Sequence, residues 1–219
     1  MNWVESLRNL HSAQGISEIV STGGLLALML IIFAETGLLA GFFLPGDSLL
    51  ITAGLLSNPQ NPNYVNGLNI LSLNFILTIT AIIGDQVGFF LGTQSGKKIY
   101  DRPDGRFYKR AHLESAREFY IRYGGPAIAA GRYIPIIRTF IPFVAGIAMM
   151  DYKKFVLWNI AGGIIWVTSM LWIGYYLGQT ALANRLDKII IIVIFVSTIP
   201  LIISAVKKYF SKALSHISK

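Results

Sequence analysis

Residues 131–146 read GRYIPIIRTFIPFVAG, an apolar segment that carries two permanent cations and two prolines. Arg132 and Arg138 cannot lose their charge, and a charge at membrane depth costs about 2.5–3.5 kcal/mol on insertion scales. Pro135 and Pro142 each lack a backbone N–H, so we expect both to break a helix. The segment therefore predicts a broken helix that holds cations inside a membrane.

The composition of the whole chain is that of an integral membrane protein. Of its 219 residues, 53% are hydrophobic and only 14% are charged, against about 25% charged residues in soluble domains. Cysteine is absent, which excludes disulfides and thiolate metal sites, and we expect neither a metal nor a cofactor. The net charge of +8 indicates cytoplasmic loops and anionic lipid headgroups rather than nucleic acid.

Apolar stretches long enough to enter a bilayer recur along the chain. A span needs about 20 apolar residues, and the candidate stretches are 22–57, 70–92, 126–150, 155–178 and 189–206. The first stretch is too long for one span, and Pro45 and Gly46 predict a break within it. Residues 1–20 place apolar side chains at helical spacing, which indicates an amphipathic interfacial helix or a frayed tail.

The basic residues predict which ends of these stretches face the cytoplasm. Lys and Arg concentrate in 97–122, 153–154 and 207–219, whereas the loop at 57–69 contains neither. Positively charged loops face the cytoplasm, so we place those basic segments and the C-terminus there. Both flanks of 126–150 are then cytoplasmic, and this segment must enter the membrane and return as a re-entrant hairpin.

Short similarities predict an internal repeat. Two spans end alike, and each is preceded by a broken segment that contains Phe, an aliphatic residue and Pro. These motifs are GFFLG at 88–92, GYYLG at 174–178, FLPGD at 43–47 and FIPFV at 140–144. The loop charges give the two spans opposite directions, and inverted repeats with broken segments are typical of secondary transporters.

The expected fold is therefore all-α and membrane-embedded, with an inverted repeat of a re-entrant broken hairpin plus a transmembrane helix. The expected parts are an interfacial helix at 1–20, a transport domain at 21–180, and a last transmembrane helix with a basic tail at 181–219. Within the transport domain, repeat one is 22–96, the cytoplasmic linker is 97–125 and repeat two is 126–178.

Five charged residues lie in apolar context: Glu35, Asp47, Asp85, Arg132 and Arg138. Isolated buried charges are costly, so we expect the two hairpins to meet and the carboxylates to face the guanidiniums or a wet cavity. Arg132 and Arg138 are candidates for binding the phosphate of a substrate, because guanidinium groups bind phosphate oxygens bidentately. Glu35 and Asp47 are candidates for proton coupling, because burial and a neighbouring arginine act on a carboxyl group in opposite directions.

A purely structural interpretation stays open for these five residues, which then form buried salt bridges that fix the hairpins. For Asp85, the structural and the functional interpretation fit the sequence equally well. The residues expected to support the site are Pro45, Gly46, Asp85, Tyr133, Pro135, Pro142 and Gly146. Six aromatic residues are expected to form the interfacial belt and core packing: Tyr133, Trp158, Trp166, Trp172, Tyr175 and Tyr176.

Three motifs together resemble the DedA family, the bacterial branch of membrane proteins with the VTT or SNARE-associated Golgi domain. They are Glu35 followed by FLPGDS at 43–48, GD at 84–85 with GxxxG to Gly92, and the segment at 131–146. The resemblance covers about residues 20–180. It places the paired acids of the family on Glu35 and Asp47 and its paired arginines on Arg132 and Arg138.

The resemblance implies a function in the bacterial inner membrane. Members of the family move lipids between leaflets, bacterial members are implicated in returning undecaprenyl phosphate to the cytoplasmic leaflet, and this needs the proton gradient. Eukaryotic relatives scramble phospholipids. The expected partners are therefore membrane lipids, above all undecaprenyl phosphate, and protons, and a homo-oligomer is compatible with the sequence.

Three other functions compete with lipid transport. A proton-coupled transporter of a small solute or cation would also need Glu35 and Asp47, but its cavity would be closed to the bilayer. An enzyme such as a lipid-phosphate phosphatase is not expected, because no nucleophile lies beside a base and every histidine lies outside the apolar segments: His11, His112 and His216. A membrane assembly factor without transport activity is the third alternative.

Overall fold

The computed structural model describes residues 13–38, 45–100, 118 and 124–180, and the regular structure in these residues is helical throughout. We number the helices α1 (Ala13–Gly37), α2 (Gly46–Leu56), α3 (Ile70–Tyr100), α4 (Pro126–Gly131), α5 (Pro135–Ile147) and α6 (Tyr152–Leu177). The expected span at 189–206, the first 12 residues of the interfacial helix and most of the basic linker lie outside the described residues.

Among the described residues, two helices are long and apolar enough to cross a membrane, namely Ile70–Gly96 of α3 and the whole of α6. Gly23–Gly37, Gly46–Leu56 and Ile137–Ile147 form shorter apolar helices. The chain is thus an all-α membrane protein. Helix α3 extends beyond the apolar stretch at 70–92 and ends at Tyr100.

Local side-chain bonds fix the starts of both long helices. Asn69 precedes α3, and its Oδ1 accepts hydrogen bonds from the backbone N–H groups of Leu71 at 2.9 Å and Ser72 at 3.2 Å. Asp151 precedes α6, and its Oδ1 accepts from the N–H of Lys154 at 2.9 Å. Both residues act as N-caps, which satisfy backbone donors that have no partner within the helix.

The two long helices run antiparallel. Near the start of α3, Asn74 Nδ2 donates to Thr168 Oγ1 near the end of α6 at 3.1 Å. Further along α3, the carbonyl of Ile82 accepts from Asn159 Nδ2 near the start of α6 at 3.2 Å. We call the end of the molecule that holds the loop at 57–69 the loop end, and the opposite end the basic end.

Each long helix packs along one arm of a broken segment. Helix α2 lies against α6, where the backbones approach so closely that a side chain has no room at two glycines. A Cβ at Gly54 would collide with the carbonyl oxygen of Leu171, and a Cβ at Gly174 would collide with that of Ile51. The glycines therefore set the distance and register between α2 and α6.

Helices α3 and α5 repeat this arrangement with other residues. A Cβ at Gly92 would collide with the carbonyl oxygen of Phe143, and a Cβ at Gly146 would collide with that of Phe89. The spacing is the same in all four helices. The residue whose carbonyl oxygen contacts a glycine of the partner helix stands three positions before a glycine of its own helix. The span of each predicted repeat thus packs against an arm of the other repeat through equivalent contacts.

These contacts correct the register of the motif comparison. The motifs GFFLG and GYYLG align Gly88 with Gly174, whereas the packing makes Gly92 the counterpart of Gly174. The two alignments differ by four residues, which is about one helical turn. Glycines recur every four residues on one face of α3, so neighbouring turns look alike in sequence. The motif comparison therefore selected Gly88, one turn before the true counterpart Gly92.

Candidate functional site

Arg138 joins three helices through its guanidinium group. The side chain is buried at the end of the first turn of α5. Its Nη1 donates to Asp47 Oδ1 on α2 at 2.5 Å, and its Nη2 donates to Glu35 Oε1 on α1. We call Glu35, Asp47 and Arg138 the Arg138 cluster.

The N-terminus of α2 holds the two acids of this cluster. Glu35 is fully buried, and its Oε2 occupies the space where a side chain at Gly46 would begin. Asp47 lies in the first turn of the same helix. Partial positive charge at a helix N-terminus stabilises carboxylates there, and Gly46 allows the Glu35 carboxylate to approach the backbone because it has no side chain.

Arg132 forms a second, separate ion pair. It is buried at the end of α4, and its Nη2 donates to Asp85 Oδ2 on α3 and to Asn159 Oδ1 on α6. Its aliphatic stem lies over a glycine pair of α6, since a Cβ at Gly162 would come within 3.2 Å of Arg132 Cδ and one at Gly163 within 3.7 Å of Cζ. Arg132 therefore ties α4 to both long helices.

The prolines of the opening segment have different positions. Pro135 occupies the first turn of α5, so the break lies between α4 and α5, just before it. The expectation that Pro142 breaks the helix is wrong, because α5 runs through it to Ile147. Helix α3 provides Gly88 opposite the proline, where a Cβ would lie 3.3 Å from Pro142 Cβ. Pro142 cannot donate to the carbonyl of Arg138, so the proline still alters the backbone at the arginine.

Two residues of α6 belong to the site although the sequence did not single them out. Trp166 was expected in the belt or core; it is fully buried in the apolar core, and its Nε1 also donates to Asp47 Oδ1 at 2.9 Å. Arg138 Cζ lies 4.9 Å from the centre of its ring, within the range of a cation–π interaction. Asn159 is a lone amide in an apolar span, a signal that sequence analysis can use. Trp166 gives no such signal, because tryptophan is common in membrane helices.

The remaining supporting residues lie around the two clusters. Tyr133 is exposed, and its hydroxyl lies 2.9 Å from Ser169 Oγ, apart from the buried charges. Pro45 directly precedes α2. Gly146 belongs to the contact between α3 and α5. These residues shape the backbone or the packing rather than contact the ion pairs.

Both arginines keep one hydrogen-bond donor unused. The Nε atoms of Arg132 and Arg138 are buried, and no acceptor in the described part of the chain lies within hydrogen-bond distance of either atom. Buried donors are nearly always paired, and each exception calls for a reason. An anion that approached the guanidinium edge would find these N–H groups available.

Acids outnumber bases among the charges of the site. Three buried carboxyl groups, those of Glu35, Asp47 and Asp85, face the two buried guanidinium groups. The surplus belongs to the Arg138 cluster, in which two acids share one base. At membrane depth an uncompensated charge is strongly unfavourable, so this cluster is suited to hold a proton.

An apolar cavity of about 340 Å³ lies near the basic end. Its walls come from α3, from the start of α6 and from the turn before it: Phe89, Phe90, Thr93, Met149, Met150 and Tyr152. Lys153 and Lys154 follow directly and are exposed. The apolar walls match the hydrocarbon chain of an anionic lipid, and the exposed lysines beside them match its headgroup.

Comparisons with known proteins agree with this architecture. The VTT domain family matches residues 44–176. Protein DedA of Escherichia coli K12 is 36% identical over 202 residues, which are 90% of each chain. An uncharacterized membrane protein of Mycobacterium tuberculosis H37Rv is 34% identical over 196 residues, which are 89% of this chain and 84% of that protein.

A third relative is the inner membrane protein YqjA of Escherichia coli K12. It is 30% identical over 158 residues, which are 70% of this chain and 67% of that protein. No solved structure matches the chain. Since the domain covers more than half of the chain and the relatives align over most of their length, the chain belongs to the DedA family of VTT-domain membrane proteins.

Proposed function

We propose that this protein moves a phosphate-bearing lipid, undecaprenyl phosphate, between the leaflets of the bacterial inner membrane and couples this movement to protons. The observation that carries the proposal is the Arg138 cluster, in which one buried guanidinium is shared by two acids and keeps an unused donor. Such a cluster can exchange a carboxylate for a phosphate and can take up protons as it does so.

The arginines supply the phosphate chemistry. A guanidinium presents parallel N–H groups that match two phosphate oxygens, and this geometry distinguishes it from an ammonium group. Arg138 is the primary ligand in this proposal, because Glu35 and Asp47 are both also held at the N-terminus of α2 and can release it. Arg132 lies close by, since it lies over Gly163 of α6, and Arg138 lies over the ring of Trp166, three residues further along the same helix.

Charge balance links the phosphate to protons. A phosphate monoester carries about −1.5 to −2 charges at neutral pH, and the Arg138 cluster already holds more acids than bases. Phosphate and two ionised carboxylates would leave a large uncompensated charge at membrane depth. Glu35 and Asp47 therefore take up protons when the phosphate binds and release them when it leaves.

The packing supports a re-entrant path for the second hairpin. Gly125, just before α4, lies against Trp158 in the second turn of α6, and Arg132 lies over Gly163 near its middle. Helix α5 then returns, and Ile147 at its end lies opposite Gly96 of α3 at the basic end. In this proposal the chain enters from the basic end and returns to it, and the break between α4 and α5 lies at the level of the middle of α6.

The chemistry of the cavity favours a lipid over a small solute. Its apolar walls lie beside exposed lysines, which suits a substrate with an apolar chain and an anionic headgroup. The identity of the lipid rests on the resemblance to the DedA family. In this proposal the C-terminus and the basic end face the cytoplasm, membrane lipids and protons are the partners, and the protein makes and breaks no covalent bond.

A leaflet-exposure assay in reconstituted vesicles tests the proposal. We expect the protein to move undecaprenyl phosphate faster than a common phospholipid, and faster with a pH gradient than without one. Arg138→Ala protein and protein-free vesicles serve as controls and should show the slow background rate. Equal movement of both lipids without a gradient would indicate a scramblase instead, and movement of neither lipid would reject lipid transport.

A further inference from the structure

Trp166, on α6, contacts both Asp47 and Arg138 of the Arg138 cluster. Its Nε1 donates to Asp47 Oδ1, and its ring lies beneath the guanidinium of Arg138. It is fully buried on α6, the helix that packs against α2. The indole is therefore held by the scaffold and not by the ion pair.

The same carboxylate oxygen receives two different donors. Asp47 Oδ1 accepts from Arg138 Nη1 and from Trp166 Nε1. In a buried site, a carboxylate that loses its only partner is strongly destabilised, because nothing replaces the lost hydrogen bonds. A second donor on the same oxygen lets Asp47 release the arginine without becoming unpaired.

This contact has a consequence for the exchange of ligands at Arg138. When a phosphate takes the guanidinium, Glu35 still lies against Gly46 at the N-terminus of α2. Asp47 lies in the first turn of the same helix, and its Oδ1 still accepts the hydrogen bond from the indole N–H of Trp166. Asp47 then keeps the indole N–H as a polar partner, and Glu35 stays at the N-terminus of α2, after Arg138 has turned to the phosphate.

Resting on the proposed function, we propose that Trp166 is a positioning residue that holds Asp47 through its indole N–H while Arg138 transfers from the carboxylates to the phosphate. The N–H supplies the polar contact, and the ring supports the guanidinium in both arrangements. Trp166→Phe separates these two roles, since it keeps most of the ring and removes the donor.

Binding of undecaprenyl phosphate to purified protein in lipid nanodiscs provides the first test. A hydrogen bond to a charged group contributes about tenfold or more in affinity, so we expect Trp166→Phe to bind about tenfold more weakly. Trp172→Phe is the matched control, because Trp172 packs against Tyr175 and Tyr176, and its affinity should equal that of wild type. Thermal unfolding without lipid should show that both variants are folded.

Fluorescence of Trp166 provides a readout that a packing role would not change. In protein whose other tryptophans are Phe (Trp3, Trp158 and Trp172), the emission of Trp166 should shift on addition of undecaprenyl phosphate, as Arg138 leaves its carboxylates. Inorganic phosphate is the second probe. A shift with inorganic phosphate but not with the lipid would keep the role of Trp166 and reject the lipid as substrate.

Two results would overturn the role of Trp166. One is wild-type affinity in Trp166→Phe. The other is an emission that stays constant at saturation with the lipid that wild-type protein binds. Failure of wild-type protein to bind either phosphate probe would reject both the role of Trp166 and the proposed function.

Discussion

The two buried arginines differ in their surroundings, although the sequence presents them as a pair. Arg138 is shared by Glu35 and Asp47, whereas Arg132 has one acid, Asp85, and the amide of Asn159. A shared base can release one acid and keep the other. In the proposed function, ligand exchange is therefore assigned to Arg138, while Arg132 also anchors α4 to the long helices.

Lysine substitutions test what each arginine does. An ammonium keeps the charge but loses the planar fork, so Arg138→Lys should bind undecaprenyl phosphate nearly as poorly as Arg138→Ala. We expect the same direction for Arg132→Lys, together with a lower thermal stability, because one ammonium cannot reproduce the contacts to Asp85 and Asn159. Unchanged affinity in both folded lysine variants would show that the arginines only neutralise the acids.

Neutral substitutions of the acids test proton coupling. Glu35→Gln and Asp47→Asn should abolish gradient-driven transport, because neither amide can carry the proton, while the proteins still insert. Transport is measured in vesicles at several external pH values. Full activity of both variants at high pH would exclude these residues as proton carriers. If Glu35→Gln instead unfolds, because removing one partner of a buried ion pair costs about 3–5 kcal/mol of folding stability, the purely structural interpretation gains support.

At the scale of helices, paired glycines fix how deep the charged residues lie. The carbonyl of Ile51 against Gly174 and that of Phe143 against Gly92 hold α2 and α5 at equivalent heights on their partner helices. These contacts bring the start of α2, with Asp47, and the start of α5, with Arg138, to the same level. The Arg138 cluster thus depends on backbone packing more than one helical turn away from it.

Alanine at these glycines should disrupt the clusters without touching them. A Cβ at Gly92 or Gly174 would collide with a backbone carbonyl that cannot rotate away, so we expect each variant to lose about 1–3 kcal/mol of stability. Gln94→Ala, an exposed position on α3, is the control and should change little. Thermal unfolding in detergent measures all three, and a large loss at only one glycine would show that the two interfaces are not equivalent.

The orientation of the whole molecule in the membrane can be determined by cysteine labelling, because the chain contains no cysteine of its own. If 126–150 is a re-entrant hairpin, single cysteines at 105 and 153 should react with an impermeant reagent from the cytoplasmic side. A cysteine at 63, in the loop at 57–69, should react from outside. Labelling of 105 and 153 from opposite faces would mean that 126–150 crosses the membrane.

The sequence by itself determined the class of the protein and its charged residues. Apolar length predicts the membrane, and the cost of a charge at that depth marks Glu35, Asp47, Arg132 and Arg138 whatever the fold is. The helix starts at Pro45 and Pro135 also follow locally, because a proline is tolerated where a helix begins, but the same local argument failed at Pro142, which lies inside α5.

Only the tertiary structure decided which groups meet. The pairing of Arg138 with two acids, the place of Trp166 between them and the passage of α5 through Pro142 depend on contacts between segments far apart in the chain. Depth and rotation of each helix are set by backbone contacts at glycines of other helices. A sequence motif does not encode that register, since neighbouring turns of a glycine-rich helix are alike in composition and differ only in what packs against them.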